Sequence, residues 1–247
     1  MRIGILDCDC VEPALAQRYG QYSDMFTRAL SPYPLSFSVY RAQSDPLPHH
    51  GGCAGWLITG SRHSVNEPSD WILQLARWIG LTYQNGGRIA GVCFGHQLIA
   101  HALGGQVARA RQGWGVGPYE NECVGSAPWL TPCSKLTLLS SHQDQVTRLP
   151  IGAHRLYRSN FCPNYSFAMG DQIFTLQGHP EFSVEYNRAL AMRRRQLLGE
   201  DVFLRAQRAF VKQTDAETAL QWLAQFFLHK HVQVDSTQLS PDEACKK

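Results

Sequence analysis

The stretch that most limits what this chain can fold into is residues 88–105, RIAGVCFGHQLIAHALGG. Ile89, Ala90 and Val92 form a short apolar run that ends at Cys93. Leu98, Ile99, Ala102 and Leu103 then recur at helical spacing until Gly104-Gly105 stops them. Cys93 thus stands between a strand and a helix, with Gly91 and Gly95 two positions to either side. That is the pattern of a nucleophile elbow, in which backbones approach so closely that flanking side chains are excluded. The turn lifts the sulfur from the sheet edge and sets it at a helix N-terminus, whose partial positive charge favours an anion. A buried, inert cysteine is the commoner fate of this residue type. The symmetric glycines, with a strand before and a helix after, favour a reactive one.

An elbow of this kind needs a sheet around it, and the first half of the chain supplies one. Residues 2–8, 35–40 and 55–61 read as strands, the last running into the Gly60-Ser61 turn. Tyr22, Met25, Phe26, Ala29 and Leu30 recur at helical spacing, as do Trp71, Leu75, Trp78 and Ile79. Strands alternating with helices through short joints imply a parallel sheet with helices on both faces, with sites at the carboxyl ends of the strands. From Gln106 the pattern changes. Residues 113–117, 135–141, 155–159 and 172–176 read as short strands of a small antiparallel flap. Helices follow over about 184–198 and 215–229, with Arg193-Arg194-Arg195 on the first read as a solvated face. The expected fold class is α/β: a mostly parallel central sheet with helices on both faces and a small antiparallel flap. Residues 1–232 are expected to form a single domain and residues 233–247 a disordered polar tail.

Composition excludes several function classes. Lys and Arg number 23 against 20 Asp and Glu, a net charge of +3 that argues for neither nucleic acid nor an anionic membrane. No apolar run approaches the roughly 18 residues of a membrane span. The opening MRIGILDCDC enters a strand at once, without a secretory apolar region. Eight cysteines lack paired zinc spacing; Cys8-Asp9-Cys10 suggests a metal site with His49, His50 and Cys53 as further ligands, but a single C-x-C reads instead as turn residues after a strand. The expectation is a cytoplasmic protein with free thiols and no metal.

A cysteine nucleophile needs a base, a group to orient that base, and donors for the oxyanion. His179 leaves a buried run (Ile173, Phe174, Leu176) with Pro180 after it, and Glu181 two residues on can orient the imidazole. The amide of Phe94, just after the nucleophile, and one from the Gly60-Ser61 turn are candidates for the oxyanion hole.

GVCFGHQ followed far downstream by QGHPEF resembles the class I glutamine amidotransferase family, in its triad type. ITGS at 58–61 resembles that family's oxyanion loop, with Gly-Ser-Arg in place of the usual Gly-Gly-Pro, and SSHQDQV at 140–146 is similar to its substrate wall. The resemblance spans residues 1–182. It implies Cys93 as nucleophile, His179 as base, Glu181 as orienting acid, and Ser61 and Phe94 as oxyanion donors. Gly60, Gln97, His142 and Gln143 would line the glutamyl pocket. The implied reaction is attack on a γ-glutamyl carbonyl, a thioester, and its hydrolysis, with no cofactor. The single-domain layout resembles the freestanding members, which include γ-glutamyl peptidases, and also the glutaminase domain of GMP synthase. The substrate would be glutamine or a γ-glutamyl peptide. Because the chain carries no P-loop, any ammonia-using step would need a separate synthetase partner. Two other readings stand beside this one. An α/β-hydrolase of the dienelactone-hydrolase type also uses G-x-C-x-G, but it orders its acid before the late histidine. A non-catalytic binding protein could keep the scaffold without the chemistry.

Overall fold

The computed structural model describes residues 1–229, so the tail expected over 233–247 lies outside the described residues. Strand β1 (Arg2–Asp7) is followed by α1 (Pro13–Tyr19), α2 (Tyr22–Ala29), β2 (Ser36–Arg41) and β3 (Gly55–Ile58). Next come α3 (Asp70–Gln84), β4 (Ile89–Val92), α4 (Phe94–Ala102), β5 (Gln106–Arg109) and β6 (Gly115–Cys123). Then follow β7 (Lys135–His142), β8 (Asp144–Arg148), β9 (His154–Arg158), β10 (Ser166–Met169) and β11 (Ile173–Leu176). The described chain closes with α5 (Val184–Arg193), α6 (Arg195–Leu198), α7 (Glu200–Ala209) and α8 (Ala216–Leu228).

Nine strands form one sheet in the order β2-β1-β3-β4-β11-β10-β9-β6-β7. The first five run parallel, and from β11 onward each neighbour is antiparallel. The expected fold class holds: an α/β sheet with helices on both faces and a small separate antiparallel pair. The membership of the flap differs from expectation. Residues 113–117, 135–141, 155–159 and 172–176 fall on β6, β7, β9 and β11, which continue the main sheet, while the separate pair is β5 with β8. The reason lies in burial. IFTL of β11 is buried on both faces, as a strand between β4 and β10 must be.

The period of two along each strand sorts the core into two layers. Ile3, Ile5, Leu57, Ala90, Val92, Phe174 and Leu176 face α8, where Ala219, Leu220, Leu223 and Phe227 meet them. Leu6, Trp56, Ile58, Ile89 and Ile173 face α3 and α4, through Ile72, Leu75, Trp78, Leu98 and Ile99. A third cluster gathers α1, α2, α5 and α7 around Val116 and Leu139 near the carboxyl ends of the parallel strands. Ser183, two residues after Glu181, caps α5, its Oγ accepting the Tyr186 amide at 3.1 Å.

Candidate active site

The elbow is built by close backbone contact. A Cβ on Gly95 would lie 2.3 Å from the Ile58 carbonyl oxygen, and one on Gly91 would lie 2.5 Å from Ile99 Cδ1 and 2.6 Å from the Gly95 backbone. Only glycine fits at either place. Cys93 itself has φ 54°, ψ −103°, the one non-glycine residue with positive φ among the described residues. Such a conformation persists only where its surroundings impose it. Here the Cys93 amide donates to Leu176 O at 2.9 Å, its carbonyl accepts the Gln97 amide at 3.0 Å, and the Gly95 amide donates to Thr59 O at 3.2 Å. Cys93 is buried, and its sulfur is presented at the start of α4.

His179 arrives from the other direction. β11 ends at Leu176, the Gln177 amide donates to Tyr165 O at 2.8 Å, and a single antiparallel bridge ties the His179 amide to Leu139 O at 2.8 Å. Gly178 permits this path, since a Cβ there would sit 1.9 Å from the Tyr165 hydroxyl. The His179 ring lies flat on Phe182, 3.8 Å between centroids and 6° between planes. Its Nδ1 is 2.7 Å from Glu181 Oε1, and Cys93 is its other hydrogen-bonding partner. The Glu181 side chain is fully buried, and its second oxygen has no hydrogen-bond partner among the described residues. Burial alone would push the imidazole down. The Glu181 carboxylate first, and then the hydrogen-bonded approach of Cys93, outweigh it and lift His179 from 6.5 to about 10. Cys93, His179 and Glu181, 86 and 2 residues apart in sequence, therefore form one contact set.

The remaining expected residues gather at the same place. A Cβ on Gly60 would meet His179 Cε1 at 2.8 Å and Cys93 Cβ at 3.6 Å. A cavity of about 580 Å³ opens there, and Ser61, Cys93, Gln97, His142 and Gln143 all line it. Phe94 follows Cys93 with its ring buried against Trp71, 5.5 Å between centroids, which leaves its backbone amide as the group near the sulfur. Gln97 Nε2 donates to Asp144 O at 2.8 Å and to Gln177 Oε1 at 3.0 Å, fixing the side chain as a wall. His142 is pushed down to about 4, chiefly by burial. It is therefore neutral at pH 7, with Nδ1 3.1 Å from Asp144 O.

Several cavity residues were not expected at the site. Tyr22, Trp114, Tyr186, Leu190 and Leu197 form an apolar and aromatic side, and Arg62, Arg109, Arg193 and Arg194 bring charge. The arginine run is not simply a solvated face. Arg193 pairs with Glu12 at 2.7 Å and Arg194 donates to Ser141 Oγ at 3.0 Å, both lining the cavity, while Arg195 pairs outside it with Glu200. The start of α5, set by Ser183 just after the histidine strand, aims this run back at the site. Cys8, which the C-x-C spacing raised as a metal ligand, is buried with Sγ 3.4 Å from Leu6 O, whereas Cys10 is exposed.

Comparison with known proteins agrees with this geometry. The family model for glutamine amidotransferase class-I matches residues 15–195. Gamma-glutamyl peptidase 3 of Arabidopsis thaliana is 28% identical over 74% of this chain and 78% of its own length. A glutamine-hydrolyzing GMP synthase component from Methanoculleus marisnigri is 26% identical over 70% of this chain and 90% of its own. A glutamine amidotransferase from Thermotoga maritima, of known crystal structure, shares the fold with a TM-score of 0.72 at 19% identity, covering 92% of this chain and 96% of that one.

Proposed function

The chain belongs to the class-I glutamine amidotransferase family, and on that premise we propose that it is a freestanding hydrolase of γ-glutamyl amide bonds that works through a thioester on Cys93. The observation that carries the proposal is the buried Cys93–His179–Glu181 contact set, whose Cys93 lines a cavity shared with Gln97, His142, Gln143, Trp114 and Arg194. Cys93 sulfur attacks the γ-carbonyl. The developing oxyanion takes the amides of Ser61 and Phe94, in a buried site where such donors cost no reorganisation. His179 carries its proton with Glu181 beneath it, so it can protonate the leaving amine as the C–N bond breaks. The imidazole, now neutral, activates a water that cleaves the thioester and releases glutamate. Gly60 keeps the turn close to the sulfur, and Gln97, His142 and Gln143 receive the glutamyl chain.

A cavity of about 580 Å³ falls in the usual range for sites that enclose a whole small molecule. Its outer part, with Trp114, Tyr186, Arg193 and Arg194, is more than the release of ammonia requires. That favours a γ-glutamyl peptide over free glutamine, in keeping with the likeness to a γ-glutamyl peptidase. The likeness to a GMP synthase component favours a second reading, a glutaminase that feeds ammonia to a separate synthetase. Labelling tests the chemistry common to both. A glutamine-mimicking diazo-ketone is expected to modify Cys93 stoichiometrically among the eight cysteines and to stop turnover. Modification spread evenly over the thiols, or centred on Cys8 and Cys10, would remove Cys93 from the role.

A further inference from the structure

The turn that carries the Ser61 amide differs from the family's usual Gly-Gly-Pro by having Ser61 and Arg62 at its second and third positions. A proline at the third position would fix φ and would have no N–H to satisfy. Arginine fixes nothing and adds both an N–H and a charged side chain. The structure shows where these go. The Arg62 amide donates to Asp9 Oδ2 at 2.8 Å, and Arg62 Nε donates to both oxygens of the same carboxylate, at 3.0 and 2.8 Å. A further bond runs from the guanidinium to Cys10 O. The Asp9 side chain is only 6% exposed, whereas that of Arg62 is 54% exposed, so the fixed partner is the carboxylate. Asp9 is itself braced by the Cys10 amide, which donates to Oδ1 at 2.8 Å. The strand side of the turn is tied as well, since Thr59 Oγ1 accepts the Cys8 amide at 2.9 Å and Thr59 O accepts the Gly95 amide. On the far side Glu67 accepts the Ser64 amide at 2.8 Å and approaches His63 Nδ1 at 2.7 Å.

We infer that Asp9 is a positioning residue: by binding the Arg62 amide and guanidinium together, it holds the adjacent Ser61 amide where the oxyanion forms, and so does the work of the missing proline. The inference rests on the assignment of the Ser61 amide as an oxyanion donor. It explains how the chain by itself keeps this turn ready, because the turn is tied through Thr59 on its strand side and to the carboxylates of Asp9 and Glu67 after Ser61. It also gives Asp9 a role that the C-x-C reading of Cys8-Asp9-Cys10 did not.

Two reagents that react at Cys93 separate this role from general structure. 4-Nitrophenyl acetate acylates the sulfur through a tetrahedral oxyanion, forming C–S and expelling 4-nitrophenolate. Iodoacetamide alkylates it by direct displacement of iodide, and no oxyanion forms. Neither is a γ-glutamyl compound, so the ratio of the two rates, read at Cys93 by peptide mass analysis, does not depend on the substrate proposed above. Removal of an oxyanion donor costs about 10²–10³-fold. Displacing one by loss of its brace is expected to slow acetylation about tenfold or more in Asp9→Asn, with alkylation changed less than about twofold. In an Arg62→Pro background, where φ is fixed and the N–H is gone, Asp9→Asn is expected to change acetylation less than about twofold, the non-additivity of a shared interaction. Parallel loss of both rates, no loss of either, or the same loss in both backgrounds would each overturn the inference. If Asp9 behaves as expected while no γ-glutamyl compound is turned over, the clamp stands and the proposed substrate falls.

Discussion

The sheet changes direction between β11 and β10, and the two halves around that seam contribute to the site by different means. The parallel half gives backbone. Its share consists of Cys93 in a strained conformation and glycines at 60, 91 and 95 that admit no Cβ. The antiparallel half, with the segment that leaves β11 at the seam, gives buried side chains. His179 and Glu181 sit there with buried neutral His142 nearby, and Glu181 Oε2 has no hydrogen-bond partner among the described residues. The difference teaches what each half is sensitive to. Backbone geometry responds to added atoms and hardly to pH, whereas buried charge responds to pH and to single-atom changes of charge.

The largest expected effect comes from adding one methyl group on the parallel side. Gly60→Ala places a carbon 2.8 Å from His179 Cε1, and the ring cannot retreat because Phe182 and Glu181 hold it. Misplacement on the ångström scale costs about 10²-fold, so kcat is expected to fall at least that far with the shape of the pH–rate profile unchanged. A shifted pH profile in this variant would blur the division between the halves.

A smaller loss is expected for Glu181→Gln, which keeps shape and removes charge. Turnover should fall about tenfold to 10²-fold, less than the loss for His179→Ala, since an acid–base group contributes roughly 10²–10⁴-fold. The alkaline limb of the pH–rate profile should also move to lower pH, because the carboxylate is what chiefly opposes burial at His179. An unmoved limb would mean that Glu181 does not set the charge of the imidazole.

The smallest effect is on stability. His179 is lifted from 6.5 to about 10, so between those values the folded chain keeps a proton that the unfolded chain releases. Its contribution is full below pH 6.5 and is lost as pH rises through about 10. Thermal melts should therefore show Tm falling over this range in the wild type and falling less steeply in His179→Ala. Equal slopes would show that the pair carries no linkage.

Legibility in the sequence follows the same seam. The elbow was readable because its demands are local: a strand, two glycines, a cysteine and a helical stripe within eighteen residues. Strands β1 to β4 and helices α2 and α3 were readable for the same reason. The pairing of β11 with β4 was not, since it joins segments about eighty residues apart and leaves no local mark. Helices α1 and α7 also escaped, each offering few apolar positions: Leu15 alone is buried in the first, and Phe203 and Ala206 in the second. In the candidate site, the motif resemblance singled out Cys93, His179, Glu181, Gln97, His142 and Gln143, which the structure brings together. The outer cavity (Trp114, Arg193, Arg194) and the Asp9–Arg62 clamp were not legible, because tertiary placement alone brings those residues to the site.

The central claim is that both halves together make a hydrolase that needs no second protein. The most direct measurement is glutamate release from γ-glutamyl dipeptides, a glutathione-type tripeptide and glutamine by the purified chain, without ATP, metal or partner, beside Cys93→Ala. The account predicts release from at least one γ-glutamyl peptide at a rate above that from glutamine, and none above background in the variant. A folded chain that is alkylated at Cys93, yet releases no glutamate from any of them until a synthetase is added, would contradict it and put the ammonia-supplying reading in its place.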